Sequence, residues 1–210
     1  MSTFDSKALN DGDILPLMES FYTIQGEGYF SGQSAHFLRI GGCDVGCHWC
    51  DVKESWDHKT HPLTSVENII LEIAKSKVDT VVITGGEPLM WNLKKLTSGL
   101  KKYVENIHLE TSGAYPTSGK FDWICLSPKK TKPPLDEIMF KANEFKVIIH
   151  NKHDFIWAEN LSKKLSNSCK LYLQPEWSKK NVTLPAVISY VKENPKWTIS
   201  LQTHKYMNIP

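Results

Sequence analysis

Cys43-Asp44-Val45-Gly46-Cys47-His48-Trp49-Cys50 sets three cysteines in the pattern C-x3-C-x2-C, directly behind an apolar run at 35–40. Three thiolates on one tight loop can face one metal centre. Ligation by four cysteines closes an iron-sulfur cluster, whereas three leave one iron with a position open to a ligand that is not protein. The alternative is a tetrahedral zinc knuckle, with His48, His58 or His61 as fourth ligand. Zinc usually completes such a set from a second cysteine pair, which this chain lacks. The triad alone leaves both metals open.

Around that loop the composition is that of an ordinary globular chain. With 210 residues, 40% hydrophobic and 23% charged, it can bury one good core and is expected to form a single domain, 1–210. A net charge of +2 is too small to imply a nucleic-acid or membrane surface. No apolar run reaches the roughly eighteen residues of a spanning helix. The N-terminus, with Asp5, Asp11 and Asp13, has no signal-peptide core, so the expected compartment is the cytoplasm, where thiols stay available for metal. Cys125 and Cys169 lie in or beside apolar segments and read as small core residues. Among 25 lysines and arginines, Arg39 is the single arginine. It ends the strand that feeds the triad, a place where a planar two-pronged donor suits a carboxylate better than lysine does.

Strand-like and helix-like pieces alternate along the chain. Residues 1–16 read as a polar leader. Strands are expected at 17–24, 35–40, 79–84, 107–111, 122–126, 144–149, 170–173 and 198–202. Thr64-Ser65-Val66-Glu67 reads as a capping box, opening a helix with Val66, Ile69, Ile70, Ile73 and Ala74 on one stripe. Further helices are expected at 93–103, 135–141, 154–165 and 184–192. This order predicts an α/β fold, a partial TIM-like barrel of mostly parallel strands with outer helices.

Nearly every expected strand ends in a glycine, polar or proline-bearing signature: QGEG, CDVGCHWC, TGGEP, ETSG, SPKK, QPEW and QTHK. In a barrel of parallel strands these ends converge on one face, which holds the active site. Gly85-Gly86 after a strand would let backbone approach a ligand closely, because neither residue carries a Cβ.

The triad followed by Gly85-Gly86-Glu87-Pro88 resembles the radical S-adenosylmethionine superfamily. Phe21-Tyr22-Thr23-Ile24-Gln25-Gly26-Glu27-Gly28, Arg39, Glu110-Thr111-Ser112-Gly113, Ser127-Pro128-Lys129, Gln174-Pro175 and the ending Gln202-Thr203-His204-Lys205 through Asn208-Ile209-Pro210 narrow the likeness. Over residues 19–210 the chain resembles the 7-carboxy-7-deazaguanine synthase family of 7-deazapurine (queuosine) biosynthesis.

That resemblance implies a radical S-adenosylmethionine core, a 4Fe-4S cluster on Cys43, Cys47 and Cys50, and a lyase reaction. The substrate would be 6-carboxy-5,6,7,8-tetrahydropterin, contracted to 7-carboxy-7-deazaguanine with loss of ammonia. Ile24, Gln25, Gly26, Glu27 and Thr111 would meet the pterin, Arg39 its carboxylate, and Pro210, in a tail 203–210 that closes the site, its aminopyrimidine edge. Trp49, Asp51, Gly85, Gly86, Glu87, Gly113, Ser127, Pro128, Lys129 and Gln174 would meet S-adenosylmethionine. The family's magnesium ligand is a hydroxyl residue two positions after the last cysteine; Val52 stands there and cannot serve a hard cation. Homodimers and an external flavodoxin- or ferredoxin-like electron donor are also implied. A radical glycyl-radical activase and a non-catalytic zinc or iron-sulfur carrier module are the rival readings.

Overall fold

The computed structural model describes the backbone of residues 3–210 and the side chains from Ser6 onward. In chain order the first half contains α1 (Thr3–Asp11), β1 (Ile14–Ile24), β2 (Ser34–Ile40), β3 (Leu63–Ser65), α2 (Val66–Ser76), β4 (Thr80–Gly85), α3 (Lys94–Leu100) and β5 (Asn106–Thr111). The second half contains β6 (Trp123–Leu126), α4 (Asp136–Lys141), β7 (Glu144–Ile149), α5 (His153–Ser162), β8 (Lys170–Pro175), α6 (Lys180–Glu193), β9 (Trp197–Ile199) and α7 (Thr203–Met207). Among the described residues no helix is long and apolar enough to cross a membrane.

The strands form one sheet in the order β3-β1-β2-β4-β5-β6-β7-β8-β9. Each neighbouring pair from β2 to β9 is parallel, and β1 runs antiparallel to both β2 and β3. No ladder joins β9 back to β1, so the barrel is partial. Its outer face is apolar because helices cover it, whereas inside the barrel β5 and β7 carry His108, Glu110, Glu144 and Lys146. In β4, Val81 and Ile83 turn outward into a core shared with Ile69 and Ile73 of α2 and Leu96 and Leu100 of α3. Val82 between them turns inward to Ala35, Phe37 and Phe21.

The open seam is covered by the segment after β1 and by the C-terminal residues. Gly28 N donates to Ser200 Oγ at 2.9 Å, and Thr203 N donates to Gly26 O at 2.9 Å. Tyr29 stacks on Trp123 with centroids 5.0 Å apart, and Phe30 lies 4.4 Å from the His108 ring. The QGEG segment is thus part of the barrel wall as well as a loop.

Two local expectations are corrected. Residues 3–11 of the supposed polar leader form α1, with Ala8 and Leu9 buried, and β1 begins at Ile14; residues 1 and 2 lie outside the described residues. The polar spelling masks one apolar side. The cap of α2 is Ser65, which accepts from Asn68 N at 3.2 Å. Thr64 is unavailable because it pairs with Leu15 across β3 and β1. Within the tail, α7 precedes Asn208, whose φ of 54° ends the helix in the left-handed region.

If α1 belongs to the core, Leu9→Ala should lower unfolding free energy by about 2–3 kcal/mol in urea denaturation. A change within about 0.5 kcal/mol, the usual range for surface sites, would return the segment to a leader.

Candidate active site

The C-terminal ends of the parallel strands open on a cavity of ≈ 530 Å³, a size suited to a small molecule. Cys43, Cys47 and Cys50 border it, half-buried and free of disulfides. Their loop is fixed by backbone bonds: Gly42 N donates to Ser55 O at 2.6 Å and Cys43 N to Trp56 O at 3.1 Å. Asp44 accepts from Tyr115 Oη at 2.5 Å and Lys132 Nζ at 2.7 Å, tying the loop to the segments after β5 and β6. Burial pushes the Cys43 and Cys47 thiols up, opposed at Cys47 by the Lys129 ammonium. Metal charge is what stabilises such thiolates.

The histidines near the cysteine loop have protein partners of their own. Among the described residues no three His, Cys, Asp or Glu side chains converge on a single ion position. His61 Nε2 donates to Glu54 O at 2.9 Å, His58 meets Trp91 edge-on, and His48 meets His150.

Gly85 and Gly86 border the cavity, but they are required first by the protein itself. A Cβ on Gly86 would lie 2.3 Å from Gly42 O and 2.9 Å from Cys43 Cβ. One on Gly85, whose φ is +135°, would lie 2.1 Å from Ile40 O. The glycines therefore form the seat of the cysteine loop, locked by Gly86 N to Ile40 O at 2.9 Å and Glu87 N to Gly42 O at 2.8 Å.

Glu87, Gly113 and Pro128 do not border the cavity, in departure from the expected S-adenosylmethionine contacts. Glu87 is 1% exposed, and its carboxylate is used by the protein. Oε1 accepts from Leu89 N at 3.0 Å and Thr111 Oγ1 at 2.6 Å; Oε2 accepts from Ser112 N at 2.8 Å and Ser112 Oγ at 2.5 Å. This residue sets the end of β5 rather than facing a ligand. The other expected residues all reach the wall: Ile24 at the end of β1, Gln25, Gly26 and Glu27 after it, Arg39 in β2, and Trp49 and Asp51 in and beyond the triad, with Val52 beside them. Thr111, Ser127, Lys129, Gln174 and Pro210 complete that set.

Lys146 at the cavity floor escapes sequence reasoning. It is 3% exposed, with Nζ 2.5 Å from Glu27 Oε2 and 3.9 Å from Glu110 Oε2. Gln25 Nε2 donates to Glu110 Oε1 at 2.9 Å, and Gln202 Nε2 to Glu27 Oε1 at 2.8 Å. Burial raises the Glu27 carboxyl, but Lys146, Gln202 and His204 together outweigh it and the net shift is downward. Burial likewise pulls Lys146 down, while Cys125, Glu110, Glu27 and Glu144 hold it well above the lysine range. Its signal is a lysine beside Phe145, Val147, Ile148 and Ile149, since lysine is almost never buried unpaired.

Arg39 Nε lies 2.7 Å from Glu19 Oε2, and its Cζ sits 5.5 Å from the Phe21 ring centroid. That Nε contact is an ion pair without hydrogen-bond alignment. Lys129 Nζ bonds Ser127 through its carbonyl and hydroxyl and lies 5.8 Å from the Trp49 ring centroid; burial lowers its pKa. The tail docks through Lys205 Nζ to Asp51 Oδ2 at 2.6 Å, Tyr206 edge-on to Trp177, and Thr23 Oγ1 donating to Pro210 O at 3.3 Å. A Cβ on Gly26 would strike His204 Nδ1 at 2.1 Å, so glycine there lets the tail close.

Glu87→Gln places an amide donor against donors and should cost about 2–3 kcal/mol in denaturant unfolding. Unchanged stability with lost S-adenosylmethionine binding would instead make Glu87 a direct ligand.

Comparisons with known proteins agree with this geometry. The Radical SAM superfamily model matches residues 38–148. A 7-carboxy-7-deazaguanine synthase from Flavobacterium psychrophilum is 57% identical over 97% of this chain and 96% of its own. One from Synechocystis sp. is 47% identical over 92% and 93%. The crystal structure of QueE from Escherichia coli superposes with a TM-score of 0.80 at 28% identity, covering 96% of this chain and 99% of that one. Triad loop, partial barrel and full-length likeness agree: the chain belongs to the 7-carboxy-7-deazaguanine synthase family of the radical S-adenosylmethionine superfamily.

Proposed function

We propose that this chain is a radical S-adenosylmethionine lyase that contracts 6-carboxy-5,6,7,8-tetrahydropterin to 7-carboxy-7-deazaguanine with release of ammonia. The observation that carries this reading is one ≈ 530 Å³ cavity joining the cysteine triad, Arg39 and the Gln25-Gly26-Glu27 segment, in a chain whose relatives bear that synthase's name. Neither a glycyl-radical activase nor a non-catalytic metal module accounts for both.

The residues present fit a 4Fe-4S cluster with S-adenosylmethionine. Three free thiols stand at the cavity edge, and Cys125 and Cys169 are buried elsewhere. Cys43, Cys47 and Cys50 would hold the cluster. Trp49, Asp51, Gly85, Gly86, Ser127, Lys129 and Gln174 would meet S-adenosylmethionine, with Glu87, Gly113 and Pro128 supporting that wall from behind. When bound, this pair supplies hydrogen-abstraction chemistry driven by one electron, which a flavodoxin- or ferredoxin-like donor would deliver.

The protein's own part is to grip and orient the pterin. Arg39, steadied by Glu19 and Phe21, keeps its terminal nitrogens for a carboxylate. Thr111 already donates its hydroxyl proton to Glu87, so its oxygen can only accept from the ring. Ile24, Gln25 and Gly26 would line the ring, and Pro210 would meet its aminopyrimidine edge. The tail 203–210, pinned at Asp51, Gly26 and Glu27, would shield the site from water within one domain. The need for reduced thiols favours the cytoplasm, and a homodimer completes the reading.

Magnesium would find no side-chain ligand in place of the family's hydroxyl. Val52 offers no side-chain oxygen, its carbonyl accepts from Ser55 Oγ at 2.6 Å, and Asp51 is engaged by Lys205. Adding magnesium after chelation should then change the rate little, and a large stimulation would mean that another side chain has replaced the missing hydroxyl.

Anaerobic incubation of the reduced, reconstituted protein with the carboxypterin and S-adenosylmethionine should yield the deazapurine, detected by absorbance and mass; cleavage of S-adenosylmethionine without that product would overturn the assignment. Arg39→Lys should raise KM at least about tenfold with kcat little changed, as loss of a bidentate carboxylate contact requires. An unaltered KM would remove Arg39 from the substrate.

A further inference from the structure

The cavity floor carries more charge than the grip on a carboxylate requires. Glu27 follows β1, Glu110 lies in β5 and Lys146 lies in β7, and all three border the cavity. Two carboxylates around one ammonium leave the floor with an excess of acceptors. Glu110 is the more accessible carboxylate, its side chain 24% exposed against 16% for Glu27. One oxygen of each is taken by an amide, from Gln25 and Gln202. Glu110 Oε2, 3.9 Å from Lys146 Nζ, lies beyond a direct hydrogen bond and is the least satisfied acceptor of the group. His204 approaches Glu27 from the tail, and Glu144, below, is occupied by Trp123 Nε1 at 3.1 Å and Tyr29 N at 3.2 Å.

A partly desolvated acceptor pair of this kind favours a ligand edge rich in N–H groups and rejects one that presents a carbonyl, because facing acceptors leave both sides unpaired. The pterin has such an edge in its guanidine-like aminopyrimidine half, while its carboxylate suits Arg39. Resting on the function proposed above, we infer that Glu27 and Glu110, set side by side by Lys146, form an acceptor floor that shares the aminopyrimidine edge of the pterin with the Pro210 carboxylate and selects for it. Lys146 is then a positioning residue, and Glu110 determines specificity.

The rival role is structural, a lysine that merely compensates a buried Glu27. A charge pair with only that role can be replaced by neutral residues together, whereas removing one partner leaves the other uncompensated. The test uses reconstituted holoprotein and two stable fluorescent probes, 6-carboxypterin and 6-carboxylumazine, the latter with a carbonyl in place of the 2-amino group. Wild type should prefer the pterin by at least about tenfold. Lys146→Met should lower both Tm and that preference. The double variant Glu27→Gln with Lys146→Met should recover much of the Tm while leaving the preference low, and it carries the test if the single variant does not fold.

Glu110→Gln, which leaves the Lys146–Glu27 pair intact, should keep its fold and lose most of the preference. Wild-type discrimination in the double variant or in Glu110→Gln would overturn the inference, as would a wild type that binds both probes equally. Failure of the wild type to bind either probe would instead strike the proposed function, and this inference with it.

Discussion

The contact on which the site most depends is the ion pair between Lys146 and Glu27, 2.5 Å apart at the bottom of the barrel. Either charge left alone there would cost several kcal/mol, a large share of the net stability of a domain. Together they join β7 to the segment after β1, which covers the seam that the sheet leaves open between β9 and β1. Gln202 extends the link to the tail through Glu27 Oε1. One electrostatic network therefore closes the barrel, shapes the cavity floor and holds the C-terminal residues over it.

At the other end of the cavity the limiting condition is steric. The cysteine loop sits against the end of β4 where Gly86 leaves no room for a methyl group between itself, Gly42 O and Cys43 Cβ. Glu87 then accepts from Leu89, Thr111 and Ser112 and fixes the neighbouring β5 end to the same point. Loop, glycines and buried carboxylate form one corner that sets three thiols at the cavity edge. Preorganisation of this kind is what a cofactor-dependent site asks of its protein.

Much of this was legible in the residues. The alternation of β-branched strands with amphipathic helices marks the parallel sheet, and the short signatures after the strands mark the face on which Cys43, Arg39, Thr111 and Lys129 meet. What stayed hidden depends on contacts between distant parts of the chain. α1 was concealed because Ala8 and Leu9 are a narrow stripe among polar residues, and the cap of α2 moved because Thr64 is claimed by a strand partner 49 positions away, at Leu15. Glu87 has the spelling of a ligand contact, and only its four donors reveal that it serves the fold. Lys146 lies in a segment that reads as an ordinary buried strand until Glu27 and Glu110 are brought against it.

The central claim is that three side chains, and no fourth, hold the cluster beside this cavity, leaving one iron for an exogenous ligand. Electron-nuclear double resonance on the reduced, reconstituted protein, with S-adenosylmethionine carrying nitrogen-15 in its amino group and oxygen-17 in its carboxylate, reads that iron directly. The account predicts hyperfine coupling to both labels. A spectrum without coupling to either label, from protein shown to bind S-adenosylmethionine, would contradict it.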